Sequence, residues 1–451
     1  MTNVVDPMAT TPPKHHNLAN EALAEARAEF VERNPKSLAA HQYAAKYLPG
    51  GNTRTSIFAS PFPLAIQRAW DARVVDLDGH EYVDALGEYT AGLLGHSNET
   101  VMEAVRGALD DGISFGGTNA YEARFAEIIV NRYPSIERVR FTNSGTEANL
   151  MAIVAARRAT GKSTVLVFDG AYHGGVLNFP FGQPADENVP FHFVRAPYND
   201  MDGTRALLEE HRDTLAAVIL EPMLGAGGGI VAETSFLQML RDFTESAGAA
   251  LIFDEIQTSR LAPNGIQGEV NVIPDITTIG KYHAGGMSFG AFGGKASIME
   301  AFNPNNAAHM SHAGTFNNNT LTMRAGIAAM SKVVTEEAIH ALNAKGNRLR
   351  ARLTDAIRKH DVDAAVTGRG SIMTVHFGSK TVATAADAAH GDSTMRELFY
   401  LHMLQQGVWI ARRGMMAMSI PVSEQDLDVI VSTADSFFAE WGKAGAQPAR
   451  A

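Results

Sequence analysis

Between residues 139 and 279 the chain repeats one rhythm: a short uninterrupted apolar run, then a helical pattern, then another apolar run. The runs are 139–142, 164–168, 191–195, 217–220, 250–253 and 276–279, with helical patterns starting at Thr146, Gly203 and Ser235. A strand that is apolar at consecutive positions has no wet face, so it must be covered on both sides. Strands separated by helices pair in parallel through crossovers. The rhythm therefore predicts an α/β architecture built on a mostly parallel sheet.

The flanking segments read differently. Residues 18–34 are Ala/Glu-rich with Leu and Phe at helical spacing, an amphipathic helix closed by Pro35. Asp78-Gly79 lies between short alternating runs and marks a β-hairpin. Beyond Asn319 come a long helical stretch, a strand-like run at 372–377, a helix at 394–406, a strand-like 408–410 and a closing helix from Glu424. The organisation expected from this is a mobile tail at 1–17, then an N-terminal segment at 18–60. A large domain follows at 61–330, a smaller α/β domain at 331–441 packed with the N-terminal helix, and a second tail at 442–451.

Composition narrows the function. With 49 Asp+Glu against 38 Lys+Arg the net charge is −11, which argues against a nucleic-acid surface. The absence of cysteine excludes a disulfide framework, a thiolate nucleophile, an iron–sulfur cluster and Cys-ligated zinc. The polar residues 1–17 lack the apolar core of a signal peptide, and no apolar run approaches the roughly 20 residues a membrane span needs. The expectation is a soluble, cytoplasmic enzyme of small molecules, without a membrane, nucleic-acid or metal partner. No G-x-G-x-x-G, Walker A or H-E-x-x-H pattern is present.

Three features of the parallel-sheet region carry chemistry. The first is NSGTEAN at 143–149, where a strand passes through small residues into a helix. Ser144, Gly145 and Thr146 put backbone N–H groups and two hydroxyls at a helix N-terminus, where the dipole favours a phosphate. An ordinary Ser/Thr cap accounts for the same residues. The second is Asp254, delivered with Glu255 to the C-terminal end of a strand, where ligands bind in open α/β sheets. A carboxylate there suits a protonated ring nitrogen, and equally a turn cap. The third is Lys281, ending the run TIGK and entering a stretch of small residues, 285–294, read as a loop. Burial lowers a lysine pKa and frees the amine for a Schiff base, whereas a snorkelling surface lysine is the plain alternative.

A phosphate cradle, a carboxylate for a pyridinium nitrogen and a Schiff-base lysine are together what pyridoxal 5'-phosphate (PLP) requires of a protein. Tyr172, in GAYHGG at 170–175, places an aromatic ring at the same sheet edge, where it can stack on a planar cofactor. Its neighbour His173 is assigned no catalytic role.

NSGTEAN, GAYHGG, LEP at 220–222, FDEIQT, TIGK and GTFNNN at 314–319 resemble the class III, fold type I, PLP-dependent aminotransferases over nearly the whole chain. PGGNTR and GMSFGAFGG resemble the glutamate-1-semialdehyde aminomutase subgroup. EYTAGLLGHS at 88–97 and GTFNNN resemble bacterial aminotransferases of aromatic β-amino acids of the β-phenylalanine type.

The resemblance implies a large domain with a mostly parallel seven-stranded sheet and a smaller α/β domain from both termini. It implies that Lys281 forms the Schiff base and shuttles the proton, that Asp254 keeps the pyridine nitrogen protonated, and that Ser144, Gly145 and Thr146 bind the phosphate. Tyr172 would cover a ring face, and Gln257, where the nearest relatives usually carry Met, would bond the phenolic oxygen. Thr315 would reach the phosphate from a partner subunit, making a homodimer with composite sites. Arg54 and Arg413 would bind substrate carboxylate, with Arg412 as the alternative to Arg413. Ile57, Phe58, Tyr89 and Met223 are candidates for an apolar wall. The implied reaction is ping-pong transfer of an amino group from an aromatic β-amino acid to a 2-oxo acid such as 2-oxoglutarate or pyruvate. The alternatives are the aminomutase and a catalytically silent PLP-fold binding protein.

Overall fold

The rhythm of the middle of the chain resolves into a sheet of seven strands in a computed structural model, which describes residues 14–442. Their order is Arg138–Thr142, Gly290–Gly294, Ile276–Gly280, Ala250–Asp254, Leu215–Leu220, Thr164–Phe168 and His192–Ala196. All neighbours pair in parallel except Gly290–Gly294, which is antiparallel to both of its own. Side chains alternate faces along each strand. Leu166, Phe168, Val218, Leu220, Leu251 and Phe253 enter one buried cluster, while Val165, Val167, Ala217, Ile219, Ala250 and Ile252 enter another. The first cluster is closed by Phe236, Leu237, Leu240 and Phe243 of helix Thr234–Ala247, the second by Ala148, Ala152 and Ile153 of helix Gly145–Thr160. Two covered faces are the reason the runs are apolar throughout.

One expectation is corrected here. Residues 290–294, read as part of a loop, form a central strand. Glycine weakens an isolated strand, so propensity conceals this one. Close packing selects it instead: a Cβ on Gly290 would lie 2.0 Å from the Ser144 carbonyl oxygen, and one on Gly294 would lie 2.2 Å from that of Asp275.

Around Asp78-Gly79 the hairpin Arg73–Asp76 and Glu81–Asp84 forms, flanked by Ile66–Trp70. Its fourth strand, Val408–Trp409, comes from the far end of the chain and pairs in parallel with Glu81–Asp84. A three-stranded sheet joins Ile372–Phe377 to Ala364–Arg369 and Met415–Ala417, two strands that the sequence reading lacked. Helix Lys14–Arg33 lies against helix Ser393–Gln405, and Arg27 Nη2 meets Glu397 Oε1 at 2.6 Å. That first helix begins inside the segment expected to be a tail. Residues 1–13 and 443–451, the remainder of the two expected tails, lie outside the described residues. Among the described residues no helix is long and apolar enough to cross a membrane.

Gly290→Ala should lower stability by about 1–3 kcal/mol in thermal or urea unfolding, because the clash is with backbone that cannot rotate away. Gly117→Ala, where a Cβ meets nothing within 4 Å, is the control that should change little.

Candidate active site

A cavity of about 490 Å³ opens at the C-terminal ends of the parallel strands. Ser144, Gly145, Thr146, Tyr172, Asp254, Gln257, Lys281 and Arg54 all line it. Ser144 caps helix Gly145–Thr160, its hydroxyl accepting from Glu147 N at 3.2 Å, so the capping reading of this serine is realised. The N–H groups of Gly145 and Thr146, at the first helical positions, have no intrahelical acceptor and face the cavity end of the dipole. A Cβ on Gly145 would come within 2.5 Å of Ile256 Cδ1, and one on Gly174 within 2.3 Å of Thr146 Oγ1, so the cradle is closed to side chains.

Asp254 is 3% exposed at its strand end. Its Oδ2 accepts from Asn149 Nδ2 and His173 Nδ1, both at 2.8 Å, and its Oδ1 from Ile256 N at 3.1 Å. Asn149 also donates to His173 O at 2.8 Å and accepts from Thr278 Oγ1 at 2.6 Å. Glu221, likewise buried, accepts from Tyr172 N at 3.0 Å and Gly225 N at 3.1 Å, and burial raises its pKa. Gln257 packs on Gly225, and its Oε1 is buried without a hydrogen-bond donor among the described residues.

Lys281 lies one residue past its strand with φ of 59°, a conformation a side chain adopts only when its surroundings impose it. Its Nζ donates to Tyr89 O at 2.5 Å and Thr90 Oγ1 at 2.7 Å. Burial, reinforced by the Arg413 guanidinium, brings its pKa down from 10.5 to about 7 against the opposing pull of Asp254 and Glu221. The acceptors sit on a left-handed turn: Gly87, Glu88, Tyr89 and Thr90 have φ of 54°, 46°, 52° and 79°. Such a turn costs roughly 1–2 kcal/mol per non-glycine residue and needs anchors. Asp84 Oδ1 accepts from Leu86 N and Gly87 N at 2.9 Å, and Tyr89 Oη donates to Ser56 O at 2.7 Å. The third anchor is Arg260, fully buried, which donates to Thr90 O and Ser371 Oγ at 3.1 Å and to Met418 O. No carboxylate pairs with it among the described residues, and burial lowers its pKa to about 10.

The arginines separate. Arg54 Nη1 meets Glu88 Oε1 at 3.3 Å, and its guanidinium stands 5.6 Å from the Tyr89 ring. Arg413 stands 5.1 Å from that ring and is buried enough to lower its pKa, with Nε lacking an acceptor among the described residues. Arg412 instead binds Glu397 Oε2 at 2.7 Å, so Arg413 is the one that turns toward Lys281. Thr315 does not line the cavity of its own chain and is exposed, next to Phe316 at 59% exposure. Of the proposed apolar wall, Phe58 and Tyr89 border an adjoining cavity and Ile57 is half-buried. Met223 does not belong to it: 1% exposed, it packs with Leu261, Ile266 and Ile372.

Residues 57–431 match the aminotransferase class-III family. The chain belongs to the class III aminotransferases. This aminotransferase is 44% identical over 427 residues to the β-phenylalanine transaminase of Variovorax paradoxus, covering 95% of this chain and 98% of that one. A solved structure titled as a β-phenylalanine aminotransferase of that organism superposes with a TM-score of 0.91 at 45% identity, covering 93% and 97% of the two chains. A glutamate-1-semialdehyde 2,1-aminomutase 2 of Shouchella clausii is 34% identical, covering 89% and 97%. A transaminase solved with PLP bound superposes with a TM-score of 0.84 at 30% identity, covering 91% and 99%. The fold is that of the fold type I enzymes.

Class III aminotransferases depend on PLP, and the residues of this one fit it. The glycine cradle, the buried carboxylate and a lysine amine of lowered pKa meet in one cavity. Asn149, Thr90 and Arg260 escaped the sequence reading because their partners are distant in the chain, Asp254 lying 105 positions from Asn149 and Thr90 lying 170 from Arg260. His173 had a visible signal, its adjacency to Tyr172, but not a visible partner.

In cofactor-free aminotransferase, labelling of Lys281 by an amine reagent should reach its midpoint near pH 7, and Arg413→Met should move the midpoint upward by removing a repelling cation. The stability sign follows from linkage: an ammonium disfavoured in the fold lowers stability below pH 7, and the penalty fades as pH rises toward 10.5. Cofactor-free wild type should therefore gain stability over that window relative to Lys281→Met. Arg260→Met leaves Thr90 O and Met418 O unsatisfied and should cost about 1–3 kcal/mol per group, with Arg260→Lys a poor rescue because an ammonium cannot span the fork.

Proposed function

We propose that this aminotransferase transfers the amino group of an aromatic β-amino acid to a 2-oxo acid by a ping-pong mechanism. The observation that carries the reading is the placement of Arg54 at the mouth of the Lys281 cavity, beside the Tyr89 ring. A guanidinium there can take a carboxylate bidentately while the substrate amine faces the lysine and an aryl group lies along Phe58 and Tyr89. The likeness to the β-phenylalanine transaminase supports the same donor.

Bound PLP supplies an electron sink for the carbanion formed at the amine-bearing carbon. The protein's part is positional and acid–base. Ser144, Gly145 and Thr146 hold the phosphate, and Gln257 donates to the phenolic oxygen. Asp254, fixed by His173 and Asn149, keeps a proton on the ring nitrogen. Tyr172 covers a ring face. Lys281 Nζ takes the proton from the substrate carbon and returns it, a task suited to a pKa near the working pH. Thr315, exposed in its own chain, serves the phosphate of a second subunit in a homodimer, with exposed Ile113, Phe115 and Phe316 available for the contact.

Three outcomes test this reading. Purified protein should be yellow, and Lys281→Ala should abolish the absorbance band of the lysine-linked cofactor; an unchanged spectrum would refute the assignment. Arg54→Ala should reduce kcat/KM for β-phenylalanine far more than for 1-phenylethylamine, which has no carboxylate, and equal losses would remove Arg54 from recognition. Mixing refolded Lys281→Ala with Thr315→Ala chains should regain activity that neither has alone, since a hybrid dimer contains one intact site. Turnover of glutamate 1-semialdehyde without any of β-phenylalanine would instead favour the aminomutase.

A further inference from the structure

Lys281 opens a short turn, Lys281–Ala284, in the left-handed conformation that side chains avoid. Its φ of 59° is the torsion about the bond joining the planar Gly280–Lys281 peptide to the lysine Cα. A group that grips that peptide plane therefore also sets the direction in which the lysine side chain leaves the backbone. The grip comes from His283, two residues further on: its Nδ1 lies 2.7 Å from Gly280 O. On the other side of the ring, Nε2 lies 2.7 Å from Tyr133 Oη, at the end of helix Ala120–Arg132.

Each bond in this chain has one possible direction. A carbonyl oxygen only accepts, so Nδ1 carries the hydrogen and donates to Gly280. Burial drives the imidazole pKa down to about 3, against the pull of the Gly280 carbonyl and with the nearby Arg132 opposing a second cation. The ring is neutral, so Nε2 accepts and Tyr133 Oη donates. Burial also raises the Tyr133 pKa, which keeps that proton in place. Tyr282 stacks on the imidazole with ring centroids 4.3 Å apart, and its own hydroxyl donates to Ser259 Oγ at 2.9 Å. Tyr133 is 1% exposed, and Tyr282 and His283 are fully buried. Packing alone is served as well by apolar rings, which need no matched partners. An ordered polar chain ending on the carbonyl beside Lys281 does what packing does not.

We propose that His283 and Tyr133 are positioning residues for Lys281, their hydrogen-bond chain locking the peptide before the lysine and so aiming Nζ into the cavity. Neither residue lines that cavity, so both act through the lysine backbone. The assignment rests on the reading of Lys281 as the cofactor lysine and proton shuttle. A reacting group displaced by about 1 Å can lose roughly 100-fold in rate, which is why such a lock matters.

Three variants test this, with thermal unfolding as the check on folding. His283→Leu removes both bonds, Tyr133→Phe removes the outer one, and His283→Asn offers an amide donor near the Nδ1 position. In holoenzyme with β-phenylalanine, kcat should fall about tenfold in His283→Leu, the loss of one buried hydrogen bond, while KM for the donor stays within about twofold. Tyr133→Phe should show a smaller loss, and His283→Asn should recover most of it. In cofactor-free protein, the midpoint of Lys281 labelling by an amine reagent should rise from near pH 7 by about one unit in His283→Leu, as Nζ leaves its buried acceptors. The charges acting on that amine, Arg413, Asp254, Glu221 and Arg260, are untouched by these variants. Lowered thermal stability with kcat and midpoint both unmoved would make the chain merely structural and overturn the proposal. If His283→Leu does not fold, Tyr133→Phe, which deletes a single oxygen, decides by the same two readouts. The midpoint needs neither cofactor nor donor, so it answers for positioning even where β-phenylalanine is not turned over. A cofactor band retained in Lys281→Ala would instead sink the reading of the lysine and leave the midpoint result standing.

Discussion

A carboxylate at 3% exposure cannot be left to itself, and the way Asp254 is satisfied organises the whole active region. Its oxygens draw in Asn149 from the helix behind the glycine cradle and His173 from the turn that carries Tyr172. Asn149 in turn holds Thr278, three positions before Lys281. One short network thus locks four segments of the parallel sheet into a common frame. If Asp254 were replaced by an apolar residue, the donors of Asn149 and His173 would be stranded in a dry interior, and cradle, ring cover and lysine would lose their shared reference.

The lysine is held from the other side by strain. A left-handed turn at residues 87–90 presents a carbonyl and a hydroxyl to Nζ, and the turn is stabilised from below by Arg260. Arg260 also reaches Ser371 and Met418, so the sheet of Ile372–Phe377 and the left-handed turn are tied through a single buried fork. The acidic protein concentrates positive potential where it needs it: Arg260 and Arg413 both act to lower the lysine's pKa, and neither is in an ion pair with a carboxylate among the described residues.

Much of this is legible in the sequence. The six apolar runs became strands within a residue or two of their expected ends, because a strand covered on both faces leaves an unbroken apolar signature. Asp254 and Lys281 were visible because each terminates such a run. Gly290–Gly294 was not visible, since glycine was chosen for backbone contacts with Ser144 and Asp275 rather than for strand propensity. Met223 was misplaced for a related reason: proximity in sequence to a site motif says nothing about which face of a two-residue strand points inward.

The sequence alone determined the α/β layering, the strand ends that bear the chemistry, and the cofactor class that a cradle, a carboxylate and a lysine imply together. Local periodicity and residue type suffice for those, because they are properties of short segments. Only the tertiary structure decided that Arg413 rather than Arg412 turns inward, that His173 and Asn149 hold Asp254, and that Arg260 supports the turn beneath Lys281. Each depends on partners far apart in the chain, and the free energy of a buried charge or hydrogen bond is set by what folding brings beside it, not by its neighbours in sequence.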